Sequence, residues 1–225
     1  MGSRMSILRL SFGQNPYVGA FVRATDKFAL IPDTVPPSTV EKIKETLKVD
    51  VYKLTLDGSR LLGVFLAANS KGLLVPHFVD EKQISILKEL IDMPIARLPS
   101  QFTSLGNLIL VNDNRAICAP ALEDDAVKVV EDTLDVEVVK RRIVSSELVG
   151  TVAVVTNKGM LVHPLANEDE LSELSEIMGV PANVGTVNLG SPYVAIGLVA
   201  NSYGALVGDM TTGPEIARIS ETFEV

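Results

Sequence analysis

The 225-residue sequence predicts an α/β protein: a closed ring of five repeated units of about 44 residues, each strand–strand–helix–strand, with pseudo-fivefold symmetry. Three observations predict it. An apolar segment recurs as Val18-Gly19-Ala20-Phe21-Val22, Leu62-Gly63-Val64-Phe65-Leu66, Leu105-Gly106-Asn107-Leu108-Ile109, Val149-Gly150-Thr151-Val152-Ala153 and Val194-Ala195-Ile196-Gly197-Leu198, and its second positions are spaced by 44, 43, 44 and 45 residues. Amphipathic triplets at i, i+3, i+7 begin at Val40, Ile84, Val127, Leu171 and Ile216 with the same spacing series. The third is a leftover strand. The chain stops at Val225 straight after its fifth helix, while Ile7-Leu8-Arg9-Leu10 stands alone ahead of the first unit. Pairing that N-terminal strand into the fifth unit closes the ring and removes exposed ends.

Each unit then reads in order. The recurring segment and its continuation form a first strand. A polar turn follows at Asp26-Lys27, Asn69-Ser70-Lys71-Gly72, Asn112-Asp113-Asn114, Asn157-Lys158-Gly159 and Asn201-Ser202-Tyr203-Gly204, with residues suited to positive φ or to side-chain hydrogen bonds. A second strand ends near Pro32, Pro76, Pro120 and Pro164, where proline halts ladder pairing. Four helices open on a capping-box spacing at Ser38/Glu41, Asp80/Gln83, Asn167/Glu170 and Thr212/Glu215, and the third on Glu123-Asp124-Asp125. Last strands are expected at 49–54, 94–98, 136–140 and 183–187. The chain is thus one ring domain over residues 5–225, with units near 18–60, 61–104, 105–148, 149–193 and 194–225 plus 5–17. Residues 1–4 precede a second methionine, Met5, and read as an addition to the natural start.

Composition narrows the function classes. With 47% hydrophobic and 21% charged residues the chain has the apolar content to build a core. Its longest apolar stretches, such as 148–155 and 193–200, fall well short of the roughly 20 residues that span a bilayer, so no membrane role is expected. One cysteine excludes a disulfide framework and Cys-rich zinc sites, and the N-terminus lacks a continuous apolar core, which together point to the cytoplasm. A net charge of −8 argues against binding DNA by phosphate neutralisation and suits a basic partner. His77 and His163 have no zinc or iron spacing, Glu168-Asp169-Glu170 reads as the first turn of a helix, and no glycine loop ends in a phosphate-cradling Lys-Ser/Thr pair. No cofactor or metal is implied.

A ring of five such units resembles the pentein, or α/β-propeller, fold. Particular segments narrow the likeness: Gly72-Leu73-Leu74-Val75-Pro76, Ser104-Leu105-Gly106-Asn107 followed by Asn112-Asp113, Val154-Val155-Thr156-Asn157-Lys158-Gly159 with Leu161-Val162-His163-Pro164, Gly185-Thr186-Val187-Asn188, and Asp209-Met210-Thr211-Thr212. From Met5 to Val225 they resemble the translation initiation factor 6 family, the ribosomal anti-association factors of archaea and eukaryotes. Eukaryotic members carry a tail beyond the fifth unit, and this sequence resembles the archaeal form without it. The resemblance implies a monomer that sits on the intersubunit face of the large ribosomal subunit and sterically prevents joining of the small subunit, with a further role in large-subunit maturation. The implied partner is a uL14-type ribosomal protein, with an L24e-type protein and the sarcin–ricin loop as further contacts.

Five equivalent loops ahead of the recurring segments gather at one end of such a ring: residues 13–17, 57–60, 101–104, 145–147 and 188–193. Rich in Asn, Gln, Ser and Tyr, they read on composition alone as polar turns; the resemblance turns them into a partner face. Arg60 and Asn107 match family motifs, and Asn188 and Ser191 match less strictly. The candidate interface residues are Asn15, Tyr17, Ser59, Arg60, Ser104, Asn107, Asn188, Ser191 and Tyr193.

An alternative comes from other penteins, which are enzymes attacking guanidinium carbons with a cysteine aided by histidine. The only candidates here are Cys118, His77 and His163. Cys118 lies in the apolar run Ala116-Ile117-Cys118-Ala119-Pro120, where an inert buried thiol is the ordinary outcome, and the fifth unit, where those enzymes place their cysteine, has none. No enzymatic activity is expected.

Overall fold

The computed structural model describes residues 6–225, so the reading of residues 1–4 lies outside the described residues. Strand β1 (Ile7–Leu10) comes first. The first unit follows as α1 (Val18–Phe21), β2 (Arg23–Ala24), β3 (Phe28–Pro32), α2 (Pro37–Leu47) and β4 (Asp50–Leu54). The second is α3 (Leu62–Phe65), β5 (Ala67–Ala68), β6 (Leu73–Val75), α4 (Glu81–Leu90) and β7 (Ile95–Arg97). The third is α5 (Leu105–Leu108), β8 (Ile109–Val111), β9 (Arg115–Cys118), α6 (Asp124–Leu134) and β10 (Glu137–Lys140). The fourth is α7 (Val149–Val152), β11 (Ala153–Val155), β12 (Met160–Val162), α8 (Glu168–Met178) and β13 (Ala182–Val184). The fifth is α9 (Val194–Gly197), β14 (Leu198–Ala200), β15 (Ala205–Gly208) and α10 (Gly213–Phe223).

Five three-stranded sheets result, each with a middle strand antiparallel to the inner strand and parallel to the outer one. In the fifth sheet the outer strand is β1, which runs parallel to β15 with Ile7 opposite Ala205 and Leu10 opposite Gly208. The chain's first strand therefore closes its last unit. Every long helix lays its apolar stripe on the sheet of the preceding unit: Ile43 and Leu47 of α2 are buried with Leu10, Val199 and Leu206 of the fifth sheet, and Ile84 and Leu87 of α4 with Phe28 and Leu30 of the first. The hydrophobic core is accordingly a set of clusters between neighbouring units, and no unit could bury its helix face alone.

The recurring segments depart from the sequence expectation. They do not begin the first strand; each is a single helical turn, and the strand starts one or two residues later. The reason is tertiary. The five turns pack side by side around the ring axis, α1 touching both α3 and α9, and their glycines let one turn sit on the backbone of the next. A Cβ on Gly63 would lie 1.9 Å from the carbonyl oxygen of Gly19, one on Gly106 2.0 Å from that of Gly63, and one on Gly150 2.1 Å from that of Gly106. A short apolar run cannot be assigned to strand or helix by periodicity, and close backbone packing decides it here.

Two smaller expectations also change. The first long helix is capped at Pro36 with Pro37 at its first turn, so Ser38 lies inside the helix and is not its cap. Asp80 and Asn167 do accept hydrogen bonds from Gln83 N and Glu170 N at 2.7 and 2.8 Å, and Glu215 Oε2 accepts from Thr212 N at 2.7 Å. In the inter-strand turns Gly72, Gly159 and Gly204 are not at positive φ; a Cβ on each would strike the carbonyl oxygen of Thr133, Thr222 or Thr46 at 1.9–2.2 Å. Turn asparagines complete these seams. Asn69 Nδ2 donates to Asn112 O and Leu134 O at 3.1 and 2.8 Å, and Asn201 Nδ2 donates to Thr25 O and Leu47 O at 3.0 and 2.8 Å, tying the fifth unit to the first.

Candidate functional site: the loop face and the axial cavity

Each axial turn is entered through a residue of almost the same backbone conformation: Tyr17, Leu61, Ser104, Leu148 and Tyr193, with φ of −82 to −85° and ψ of 54 to 76°. Four of the five carry large side chains that remain exposed, at 48, 38, 46 and 51% for Tyr17, Leu61, Leu148 and Tyr193. Three of them, Tyr17, Leu61 and Leu148, also line a cavity of about 510 Å³ on the ring axis. Leu165, Leu189 and Met210, all exposed, follow strands β12, β13 and β15. The His163 ring lies 6.0 Å from that of Tyr193. Isolated apolar side chains on a surface are ordinary; a set repeated at equivalent positions of a ring is a patch.

The loops ahead of these turns are short and stiff. Residues 12/15, 56/59, 143/146 and 187/191 close as isolated bridges, with positive φ at Gly13 and Gln14, Asp57 and Gly58, Val144 and Ser145, and Asn188 to Gly190. The third loop is held differently: Ser100 Oγ donates to Glu123 Oε2 at 2.6 Å, and that hydrogen bond holds the Glu123 carboxyl below its ordinary pKa.

The sequence-derived candidates do not share one placement. Tyr17 and Tyr193 stand on the exposed rim. Asn15 Oδ1 accepts from Tyr17 N at 2.9 Å and Ser59 Oγ from Leu61 N at 3.2 Å, so both shape the rim residue that follows, while Ser104 and Ser191 sit in the turns. Arg60 Nε donates to Asp33 Oδ1 at 2.9 Å in a half-exposed pair, which lowers the Asp33 pKa. Asn107 lines the axial cavity. Asn188 turns inward: its Nδ2 donates to Pro16 O at 3.0 Å and its Oδ1 accepts from Thr211 Oγ1 at 3.2 Å, so its amide ties its own loop to the loop ahead of α1 and to the segment that follows β15. Leu61 and Leu148 escaped the sequence reading. The spacing series that located the repeat would have found them, since positions 17, 61, 104, 148 and 193 follow it.

Inside the cavity, Arg23 reaches to the turn of the next unit. Its Nη2 donates to Gly63 O at 2.5 Å, and burial lowers its pKa to about 10. Cys118 is fully buried among Leu98, Leu105, Leu108 and Val130, and burial pushes its thiol up to about 12. His77 Nδ1 faces Ser100 O at 3.0 Å and His163 Nδ1 accepts from Leu165 N at 3.2 Å, so neither ring is engaged with the thiol. A buried neutral thiol without a base is a packing group. No helix among the described residues is long and apolar enough to cross a membrane.

The profile of the eIF-6 family matches residues 7–222. Translation initiation factor 6 of Pyrococcus abyssi is 41% identical over 222 residues, covering 96% of this chain and 98% of that one. Translation initiation factor 6 of Haloquadratum walsbyi is 38% identical over 216 residues, covering 96% of each. Among solved structures, a citrulline complex of DDAH from Pseudomonas aeruginosa superposes with a TM-score of 0.52 at 13% identity, covering 81% of this chain and 76% of that chain. That likeness shows the pentein fold alone.

Proposed function

The chain belongs to the eIF-6 family of translation initiation factors, and from that premise we propose that it binds the large ribosomal subunit on its intersubunit face and keeps the small subunit off. The observation that carries this reading is the symmetric rim of Tyr17, Leu61, Leu148 and Tyr193, because exposed aromatic and aliphatic anchors within polar loops are how a protein interface is built. The partner at the rim is a uL14-type ribosomal protein, with an L24e-type protein and the sarcin–ricin loop as neighbouring contacts. A net charge of −8 favours encounter with a basic ribosomal protein and makes any rRNA contact a small part of the affinity. The mechanism is steric exclusion. Stiff loops on a closed ring lose little freedom on docking, so the blockade lasts as long as the factor stays bound. The protein acts as a cytoplasmic monomer and performs no chemistry.

Co-sedimentation with purified archaeal large subunits tests this. The wild-type chain migrates with the large subunit, and Tyr17→Ala/Tyr193→Ala migrates at the top of the gradient. A wild-type chain that stays at the top overturns the proposal.

A further inference from the structure

Three carboxylates at helix starts reach out of their helices to the loops ahead of the axial turns. In α10, Glu215 Oε2 closes the helix start, accepting from Thr212 N at 2.7 Å and Thr212 Oγ1 at 2.8 Å. Its other oxygen leaves the helix: Oε1 accepts from Gly190 N and Thr186 Oγ1, each at 2.8 Å. In α8 the asparagine half of the capping pair is made, with Asn167 Oδ1 accepting from Glu170 N, while Glu170 Oε1 turns to the loop and accepts from Val144 N at 2.7 Å. Arg141 Nη2 lies 3.8 Å from that same oxygen. Glu123 takes the cap position of α6 without a cap hydrogen bond from its side chain; its oxygens accept from Ser100 Oγ at 2.6 Å and Gln101 N at 3.2 Å. Each loop so held leads into the axial turn of the same unit as the helix that holds it.

Two of these loops are strained. Val144 and Ser145 stand at φ of 49° and 64°, and Asn188 and Leu189 also at 49° and 64°. A β-branched residue at positive φ is an outlier, and such backbone persists only where its surroundings hold it. The loops at 13–14 and 57–58 each place a glycine, Gly13 or Gly58, at one of their positive-φ positions. The loop at 144–145 has none, and its Val144 N is the group that Glu170 binds. Leu189, 66% exposed, sits directly before the Gly190 anchor, and the exposed Leu148 and Tyr193 follow Val144 and Gly190 closely in the chain. A box carboxylate that served only its own helix would add stability; one that grips a strained, exposed loop also fixes where that loop presents its side chains.

On the reading that this face docks on the large ribosomal subunit, we infer that Glu170 and Glu215, together with Glu123, are positioning residues of the partner face, holding the loops at 144–145, 188–190 and 100–101 in the shape that docks. Loops already fixed lose less freedom on binding, so removing an anchor lowers affinity without removing a contact.

Glu170→Ala and Glu215→Ala would be compared with the wild-type chain by amide hydrogen exchange of the free protein and by equilibrium binding to purified archaeal large subunits. Val144 in the first variant and Gly190 in the second should exchange about tenfold faster or more, beyond any change at the Met160 amide, which donates to Pro181 O in the core of the fourth unit. Subunit binding should weaken several-fold. Glu170→Gln, whose amide oxygen still accepts from Val144 N, should recover most of both effects. Glu215→Gln, whose NH2 would face donors, should not. Asn201→Ala, in the turn at the other end of β15, should lower stability and bind as the wild type does. Should Glu215→Ala fail to fold, Glu170→Ala decides. A Val144 amide that exchanges in Glu170→Ala as in the wild type overturns the inference whether or not the subunit binds. So does a loosened loop with unchanged affinity, or an affinity loss that Asn201→Ala reproduces at equal Tm. A wild-type chain that does not bind, with its Glu170→Ala loop loosened, overturns the docking reading and leaves the carboxylates as anchors of the fold alone.

Discussion

Gly63 rests its Cα on the carbonyl oxygen of Gly19, so close that a single added methyl would sit 1.9 Å from that oxygen. The contact recurs at Gly106 on Gly63, and it fixes how tightly the five units close around their axis. Gly63→Ala has no flexible neighbour to displace and must spread the backbone, at a cost of about 2–4 kcal/mol and a fall in Tm of roughly 5–10 °C. Gly213→Ala, where a Cβ meets nothing within 4 Å, leaves Tm nearly unchanged. Calorimetry of both variants checks this pair, and equal Tm values would refute the packing argument.

The seam between the last and first units rests on Asn201, only 2% exposed, which donates to Thr25 O and Leu47 O. Asn201→Ala leaves two buried carbonyls without a partner and should cost about 2–4 kcal/mol in urea unfolding. Asn188→Ala should likewise lower stability, since its amide bonds Pro16 O and Thr211. A loss of ribosome binding at full stability would instead make Asn188 a contact residue.

Acid should loosen the fifth unit. Glu215 is buried, which raises its pKa, but Thr212 N, Gly190 N and the hydroxyls of Thr186 and Thr212 hydrogen-bond its carboxylate and outweigh that, so its folded pKa is lowered. A depressed carboxyl stabilises the fold above its unfolded pKa and loses that contribution as pH falls through the folded value. Urea midpoints measured from neutral pH downward should drop on the acid side of about pH 4.5 in the wild type, and less steeply in Glu215→Gln. Parallel curves would contradict the assignment.

The Cys118 thiol, pushed up to about 12 by burial, should ignore a disulfide reagent at mildly alkaline pH in the native state and react fully in denaturant. Cys118→Ala should retain large-subunit binding. Rapid native labelling would put the cysteine in an accessible, activated site and reopen the enzyme reading.

Much of this architecture is visible in the sequence because the repeat is written twice, in the apolar segments and in the helix stripes, and because Ile7–Leu10 is left without a unit until β15 takes it. What is not visible depends on contacts between units. Val18–Phe21 reads as a strand until Gly19 and Gly63 are seen packed backbone to backbone, and Ser38 reads as a cap until Pro36 takes that place. The loop face follows from the ring, yet its composition hid the rim: the polar neighbours Asn15 and Ser59 attract attention, while Leu61 and Leu148 pass for core residues. Arg23 gave no signal, because a lone arginine between apolar residues looks like any surface cation until the axis places it in a cavity.

Light scattering of purified archaeal small and large subunits, mixed at the magnesium concentration where they join, tests the central claim most directly. Stoichiometric wild-type protein should suppress the joining signal, and Tyr17→Ala/Tyr193→Ala, folded and stable, should restore it by weakening binding about tenfold or more. Joining that proceeds unchanged with saturating wild-type protein, or suppression that survives loss of both rim tyrosines, would contradict the account.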